Sequence, residues 1–177
     1  PVPWVEASLR DPVTQRVVAE GEVGEIWIRS PMVTRGYWNN PAETAAAITA
    51  DGWLRSGDAA QQDADGYLYL RDRYKDLIIS GGENIFPAEV ENVLLQLPGI
   101  AEAAVIAAPH PKWGETVRAC LVMRPGVSLD AAAITAYCRE RLAHYKCPTL
   151  YSQLDALPRN ASGKILRREL RAQMQQD

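Results

Sequence analysis

The sequence predicts an α+β protein in two parts, a β-rich segment over residues 1–71 and a mixed segment of strands and helices over 72–177. Residues 24–29 alternate between apolar and polar side chains and then meet Pro31, a pattern typical of the end of a strand. Pro87, by contrast, opens a stretch whose apolar residues recur at helical spacing. The change of pattern between the two segments is the predicted domain boundary.

The first segment is expected to hold one helix among its strands. Asn40 and Pro41 predict the helix start, because asparagine caps helices well and proline suits the first helical position. This alanine-rich helix should stop near the turn pair at 51–52. Short strands are predicted at 53–55 and 67–70.

The second segment opens with a short apolar strand over 76–79 that is broken by glycines. Strands at about 101–107 and 116–123 should follow the helix that Pro87 opens, and Ser128 is suited to cap another helix. A last helix is predicted around three apolar residues: Ile165, Leu166 and Leu170. This order favours two or three helices packed on one side of a short antiparallel sheet.

Composition excludes several classes of function. A net charge of −3 gives no reason to expect nucleic acid as a partner. No apolar run approaches the length needed to span a bilayer, and no signal peptide opens the chain. The cysteines, Cys120, Cys138 and Cys147, show no CxxC spacing. We therefore expect free thiols in a reducing cytosol, a cytoplasmic location, and no metal site in this chain.

The segment at 53–58 is the first of four that put polar or glycine residues where chemistry would use them. A strand that ends in Ser-Gly-Asp presents the Asp58 carboxylate at a sheet edge. There it can accept two hydrogen bonds from a vicinal diol such as ribose, each worth about 1.5–3 kcal/mol. The alternative is an aspartate that merely closes a turn.

The charged run Arg73-Tyr74-Lys75-Asp76 lies at the predicted boundary between the two segments. Clustered charges between apolar stretches suit a connector whose backbone angles must change. The alternative is a solvated linker with no mechanical role.

The loop at 80–83 contains two adjacent glycines before a helix. Glycine permits backbone angles that other residues avoid, and it lets a ligand approach the main chain closely. The pair is a weak signal by itself, because tight turns use glycine too. It matches neither a dinucleotide fingerprint nor a phosphate loop.

The run at 157–164 ends in Lys164, which follows a flexible Asn-Ala-Ser-Gly stretch and lies at the expected start of a helix. Helix starts disfavour cations because the helix dipole is positive there. A lysine at this position therefore suggests an anionic ligand, and the alternative is an ordinary surface lysine.

Together and in this order, the four segments resemble the adenylate-forming superfamily, which includes acyl-CoA synthetases, firefly luciferase and the adenylation domains of peptide synthetases. The strand at 24–28, the turn at 35–38 and the stretch 141–148 are similar to that family as well. The sequence Ile-Ser-Gly-Gly-Glu-Asn-Ile at 79–85 most resembles bacterial fatty-acid and aromatic-acid CoA ligases.

The resemblance implies a role for three residues toward ATP. Asp58 would hold the ribose hydroxyls of ATP and then of the acyl-adenylate. Arg73 would contact the same ribose from the hinge side. Lys164 would be the catalytic residue, reaching into the adenylation site in one orientation of its domain.

The resemblance also implies how the domains are divided. Residues 1–71 would end the large N-terminal domain, and 72–177 would form a mobile C-terminal lid with its hinge at 72–75, rotating about Lys75. Three lid residues would line the groove where coenzyme A enters: Gly81, Gly82 and Glu83.

The implied reaction joins a carboxylic acid to coenzyme A and converts ATP to AMP and pyrophosphate, with Mg²⁺ as the metal cofactor of the full-length enzyme. A long- or medium-chain fatty acid is the expected acid. Pro1 is not an initiator methionine, and the family's phosphate loop, adenine and magnesium segment and acyl pocket are missing from the sequence. We therefore expect a fragment that is inactive alone and needs the missing N-terminal domain as its partner.

Some positions depart from the family pattern. The family often has glycine where this chain has Asp72, and some members carry basic residues at the positions of Ile79 and Asn84. These differences put any extra phosphate contact there in doubt.

Two other functions stay open at this point. An enzyme of the same superfamily could load its acyl group onto a carrier protein instead of coenzyme A. A non-catalytic binding module could keep the fold without the activity, although such a module would have little reason to keep Lys164, Asp58 and Arg73 together.

Overall fold

A computed structural model describes residues 3–174 of the chain. Pro1, on which the expectation of a longer parent partly rests, lies outside the described residues. The chain divides into two compact units, Pro1–Lys75 and Asp76–Asp177. In the described part, no helix is long and apolar enough to cross a membrane.

The first unit is built on a four-stranded antiparallel sheet whose strands lie in chain order. The strands are β1 (Glu6–Arg10), β2 (Val23–Arg29), β3 (Leu54–Gln62) and β4 (Leu68–Arg73). One helix, α1 (Pro41–Ala47), lies between β2 and β3. Its predicted start is confirmed, because Asn40 Oδ1 accepts the N–H of Glu43 at 3.1 Å and Pro41 is the first helical residue.

Strand β3 corrects the expectation that a strand ends at Asp58. β3 runs from Leu54 to Gln62 and pairs with both β2 and β4, so Asp58 lies in the middle of an interior strand and not at a sheet edge. Gly57 has φ of +73°, which lets the chain bulge at this point and then continue as a strand.

The second unit is a five-stranded sheet with helices, and the α+β class is confirmed. Its strands are β5 (Ile78–Ser80), β6 (Glu83–Ile85), β7 (Ile100–His110), β8 (Gly114–Met123) and β9 (Leu150–Gln153). Their order is β6-β5-β8-β7, and β9 pairs with β8 in parallel. The helices are α2 (Pro87–Leu94), α3 (Ala131–Arg139) and α4 (Arg167–Met174).

Helices cover both faces of this sheet, which corrects the expectation of helices on one side. Val105 belongs to the core cluster that includes Leu94 of α2, whereas its neighbour Ile106 packs in a second cluster with Leu170 of α4. The reason is the composition of β7, whose consecutive residues are apolar instead of alternating, so both of its faces need covering.

Two helix starts differ from the predicted ones. Asp130, not Ser128, caps α3, and its Oδ1 accepts the N–H of Ala133 at 3.0 Å. Helix α4 begins at Arg167, so Ile165 and Leu166 precede it. In both cases the helix begins later than the local pattern indicates.

A cluster of ion pairs ties the first residue of the second unit to its last helix. Asp76 is only 7% exposed, and its Oδ1 accepts a hydrogen bond from Arg171 Nη2 at 2.9 Å. Arg167 Nη1 lies 3.9 Å from the other oxygen of Asp76, and Arg167 Nη2 donates to Glu91 at 2.6 Å. Glu91 also accepts the N–H of Val105 at 2.8 Å, so the cluster reaches α2 and β7.

We expect Asp76→Ala to lower the free energy of unfolding of the chain by about 2–3 kcal/mol, because it leaves the part-buried guanidinium of Arg171 without its carboxylate. Arg167 keeps its ion pair with Glu91. Urea denaturation measures this change. Asp155→Ala, at an exposed aspartate, is the matched control and should stay within about 0.5 kcal/mol of the parent. Equal stability of the two variants would contradict a structural role for the cluster.

Candidate functional site

Asp58 and Arg73, both predicted to contact ribose, are direct cross-strand neighbours on β3 and β4. Arg73 Nε lies 2.9 Å from Asp58 Oδ1, and the two side chains keep exposures of 44% and 33%. A carboxylate that is fixed by a guanidinium and still open to solvent can accept hydrogen bonds from a ligand. The structure therefore brings together these two predicted residues within the first unit.

Lys75, the predicted hinge residue, is exposed and lies between two anchored neighbours in a 3₁₀ turn, Tyr74–Asp76. The hydroxyl of Tyr74 donates to the carbonyl of Val23 in the first unit at 3.4 Å. Burial of the Tyr74 ring raises the pKa of its hydroxyl, which therefore stays protonated. Asp76, on the other side, is held by Arg171 in the second unit.

Gly81 and Gly82 form the two-residue turn between β5 and β6, where Ser80 pairs with Glu83. Both glycines have positive φ, +59° and +90°, as a type I′ hairpin turn requires. The turn geometry by itself therefore explains the glycine pair. Both residues are also exposed, and a side chain at Gly82 would meet nothing within 4 Å, so the backbone is open to a ligand.

A pocket of about 310 Å³ lies beside this glycine turn. The residues lining it are Ser80, Gly81, Glu83, Trp113, Thr116, His144, Tyr145, Cys147 and Thr149. Two of its hydroxyls, on Thr116 and Thr149, are hydrogen-bonded to each other at 2.7 Å. The pocket thus combines an aromatic wall with polar groups, as small-molecule sites do.

Most of these lining residues were not predicted from the sequence. Tyr145 and Cys147 lie in the stretch 141–148, which only the family resemblance singles out. Trp113 directly precedes β8 and Thr116 is its third residue, and neither has a local signal that would place it beside Gly81.

Trp113 is held in place from two sides. Its indole stacks on the ring of His110 with centroids 4.3 Å apart and an angle of 11° between the planes. His110 Nδ1 accepts the backbone N–H groups of Lys112 and Trp113, each at 3.2 Å. The carbonyl of Trp113 in turn accepts the N–H of Gly81 at 3.0 Å. The aromatic wall is therefore fixed to the glycine turn.

The cysteine thiols are free and buried. Burial raises the pKa of Cys120 and of Cys138 to about 11, and it also raises the pKa of Cys147, which lines the pocket. These thiols therefore stay protonated near neutral pH, and the pocket holds no thiolate that could act as a nucleophile.

Lys164 lies in a hydrogen-bonded turn, which corrects the expectation of a flexible run. Asn160 Oδ1 accepts three hydrogen bonds, from the N–H of Ser162 at 3.1 Å, its hydroxyl at 2.8 Å and the N–H of Lys164 at 2.9 Å. The backbone N–H of Asn160 also donates to the carbonyl of Lys164 at 3.0 Å, and Gly163 supplies a positive φ of +81°. The side chain and the backbone of Asn160 therefore both hold the turn closed.

The side chain of Lys164 is exposed, and its residue lies three positions before α4 and not in the first turn of the helix. Within residues 3–174, no carboxylate pairs with its ammonium group. A fixed backbone thus presents a free cation to solvent.

Arg159 anchors the same turn to the sheet. Its Nη1 donates to the carbonyl of Gly163 at 2.6 Å, and its guanidinium forms an ion pair with Glu102 of β7. Neither Asn160 nor Arg159 was predicted to serve Lys164, although both lie in the run that drew attention to the lysine.

The chain matches two families of protein domains. Residues 89–164 match the AMP-binding enzyme C-terminal domain, and residues 1–38 match the AMP-binding enzyme family.

Relatives of known function agree with these matches. The chain is 51% identical to a 2-succinylbenzoate–CoA ligase of Geobacillus kaustophilus over 86% of this chain and 31% of that protein. It is 44% identical to a fatty acid–[acyl-carrier-protein] ligase of Streptomyces coeruleorubidus over 97% of this chain and 33% of that protein. The chain thus spans about a third of the length of these relatives.

A solved structure with the same fold is the o-succinylbenzoate CoA synthetase of Bacillus subtilis in complex with the acyl-adenylate intermediate. It superposes with a TM-score of 0.89 at 45% identity and covers 96% of this chain and 34% of that one. Fold and sequence therefore point to the same family.

We expect Asn160→Ala to expose the backbone at Lys164, because three donors lose their shared acceptor. Tryptic cleavage after Lys164 should rise about tenfold relative to cleavage after Lys112, as measured by mass spectrometry. Asn160→Asp keeps the acceptor oxygen and should behave like the parent. Cleavage unchanged in the alanine variant would show that the turn does not depend on Asn160.

Proposed function

We propose a function for this chain from one premise: it belongs to the adenylate-forming family of AMP-binding enzymes. We infer that it is the C-terminal part of an AMP-forming acyl-CoA ligase, which converts a carboxylic acid, ATP and coenzyme A to acyl-CoA, AMP and pyrophosphate. The observation that carries the proposal is Lys164, an exposed ammonium on a hydrogen-bonded turn with no carboxylate partner among the described residues.

In the first half-reaction a carboxylate attacks the α-phosphate of ATP, and pyrophosphate leaves. Two anions must approach each other, so a cation beside the reacting groups stabilises the transition state. Lys164 would supply that charge, since the ammonium is compact and its stem is flexible. Asn160 and Arg159 hold the turn and so restrict its backbone motion. This restriction would lower the entropic cost of placing the ammonium group at the reacting phosphate.

Asp58 and Arg73 would hold the ribose of ATP and of the acyl-adenylate. The one-third exposed carboxylate of Asp58 has the acceptor oxygens that a pair of ribose hydroxyls needs. Its ion pair with Arg73 holds it in place. A carboxylate with this support fits a nucleotide that must stay bound through both half-reactions.

In the second half-reaction the thiol of coenzyme A attacks the acyl-adenylate. The exposed turn at Gly81 and Gly82 and the adjoining pocket would accept the arm that carries the thiol, because the missing side chains leave the backbone accessible. Glu83 lines the same pocket. A lysine that stayed beside the acyl-adenylate would obstruct this step. We therefore propose that the second unit brings Lys164 and the glycine turn to the acyl-adenylate at different times.

Lys75 would be the hinge for this rotation, with 72–75 as the hinge segment of a mobile lid that comprises 72–177. Support comes from its exposed position between an anchored Tyr74 and an anchored Asp76. Backbone rotation at one residue would then move the second unit without breaking either anchor.

Mg²⁺ and the phosphates of ATP would be held mainly by the part of the enzyme outside this chain. Among residues 3–174 no group of three or more histidine, cysteine or carboxylate side chains could hold a metal ion. When bound, Mg²⁺ would neutralise charge on the phosphates. We also propose that the chain alone is inactive and that the enzyme is cytoplasmic.

The acid is proposed to be a long- or medium-chain fatty acid. Support for this choice comes from the relative whose name states a fatty acid, and the sequence at 79–85 is compatible with it because fatty-acid ligases share that sequence with aromatic-acid ligases.

Transfer to a carrier protein is the second candidate function. It is favoured by the relative whose name states an acyl-carrier-protein acceptor and which matches 97% of this chain.

We expect Lys164→Ala in the full-length enzyme to slow acyl-adenylate formation about 10²–10³-fold, the scale for losing one transition-state contact. Pyrophosphate exchange measures this step. Thioester formation from supplied acyl-adenylate should be nearly unchanged. Arg168→Ala, which removes an exposed cation from the next helix, is the control and should leave both rates near those of the parent. An equal loss in both half-reactions would refute the assignment of Lys164 to the first.

The acceptor is tested by giving the same full-length enzyme, with a fatty acid and ATP, either coenzyme A or a phosphopantetheinyl carrier protein. We expect kcat/KM to be at least tenfold higher with coenzyme A. A preference for the carrier would favour the second candidate, and no product with either acceptor would support a non-catalytic module.

A further inference from the structure

We propose that Glu25 is a positioning residue that aims the Asp58 carboxylate by holding the bulge on which Asp58 lies. The inference rests on the proposed function, in which Asp58 binds the ribose of ATP. It assigns a role to a buried acid on a neighbouring strand that would not touch the nucleotide itself.

The pairing of β2 with β3 is interrupted beside Asp58. Glu25 pairs with Ala59, and Trp27 pairs with Arg55, so a single residue of β2 faces the three residues 56–58 of β3. Extra residues in one strand form a bulge, which redirects the side chains at that point. The bulge therefore includes the backbone that carries the Asp58 side chain.

In a bulge, some backbone N–H groups lose the carbonyl acceptors that regular strand pairing would provide. Here a side-chain oxygen replaces one of these acceptors. Glu25 Oε1 accepts the N–H of Gly57 at 2.9 Å. The hydroxyl of Ser56 accepts the N–H of Asp58 at 3.1 Å. Glycine can adopt many backbone angles, so fixed contacts determine which conformation Gly57 takes, and Glu25 supplies one of them from the adjacent strand.

Glu25 is itself rigidly held. It is only 7% exposed, and its second oxygen, Oε2, accepts the indole N–H of Trp27 at 2.8 Å. Trp27 is 2% exposed, and the guanidinium groups of Arg10 and Arg55 each lie 4.8 Å from the centroid of its ring. Such cation–π contacts fix the indole and through it the carboxylate.

Both oxygens of Glu25 are thus engaged within the fold, so it acts on the nucleotide only through Gly57 and Asp58. Arg73 supports Asp58 from the opposite strand by the 2.9 Å ion pair. Glu25 fixes the backbone that carries Asp58, and Arg73 fixes the carboxylate group of Asp58. Loss of the first support should move the carboxylate away from the ribose and leave the acyl and thiol sites unaffected.

The test is Glu25→Gln in the full-length enzyme, with the ratio of kcat/KM for ATP to kcat/KM for 2′-deoxyATP as the readout. Glutamine has one acceptor oxygen for two donors, so its amide group must face the N–H of either Gly57 or Trp27. We expect the ratio to fall by roughly tenfold, part of what a charge-assisted hydrogen bond to the ribose contributes. KM for the carboxylic acid should stay unchanged.

This ratio does not depend on how much of the enzyme is folded, because both nucleotides are measured on the same preparation. Glu6→Gln makes the same chemical change at an exposed acid of β1 that pairs with Arg29, and it should leave the ratio at the parent value.

Asp58→Ala separates failure of this inference from failure of the proposed function. If Asp58→Ala abolishes the discrimination and Glu25→Gln leaves it intact, the positioning role is overturned and the ribose site stands. If Asp58→Ala itself leaves the discrimination intact, the proposed ribose contact falls, and the inference falls with it.

Discussion

The anchoring of the chain on both sides of Lys75 is the constraint on which the proposed mechanism depends. Tyr74 is tied to β2 of the first unit, and Asp76 is tied to α4 of the second by buried ion pairs. Asp76 is the first residue of its unit, so side-chain contacts hold the second unit from its first position onward. In the proposed mechanism, rotation between the units would therefore be concentrated at the short connecting segment.

Each proposed functional group is an exposed side chain or bare backbone on a fixed local structure. Asp58 lies on a bulge held by Glu25, the glycine turn is tied to Trp113, and Lys164 lies on a turn closed by Asn160. Exposure lets these groups reach a ligand, and the hydrogen bonds below them reduce the conformational freedom that binding must remove. The supporting residues are therefore as relevant to function as the groups they hold.

The two units solve this problem with different chemistry. In the first unit, buried glutamate and tryptophan side chains act through a strand bulge, with arginines stacked on the indole. In the second unit, an asparagine, backbone carbonyls and the ion pair of Arg159 with Glu102 hold local turns, and one protonated thiol and two paired hydroxyls line the pocket. Charged supports thus lie under the proposed ribose site and under the Lys164 turn, whereas Trp113 holds the glycine turn by a neutral backbone hydrogen bond.

The sequence by itself determined the features that depend on neighbours along the chain. It predicted the α+β class, the start of α1 at Asn40 and Pro41, and the segments that contain Asp58, the glycine turn and Lys164, because caps, turns and motifs are short-range patterns. Only the tertiary structure decided that Asp58 lies inside a sheet, that α4 covers the second face, and that Trp113 comes to the glycine turn. Those features arise from strand pairing and packing between residues far apart in the chain, and no local pattern records which distant residue will be the partner.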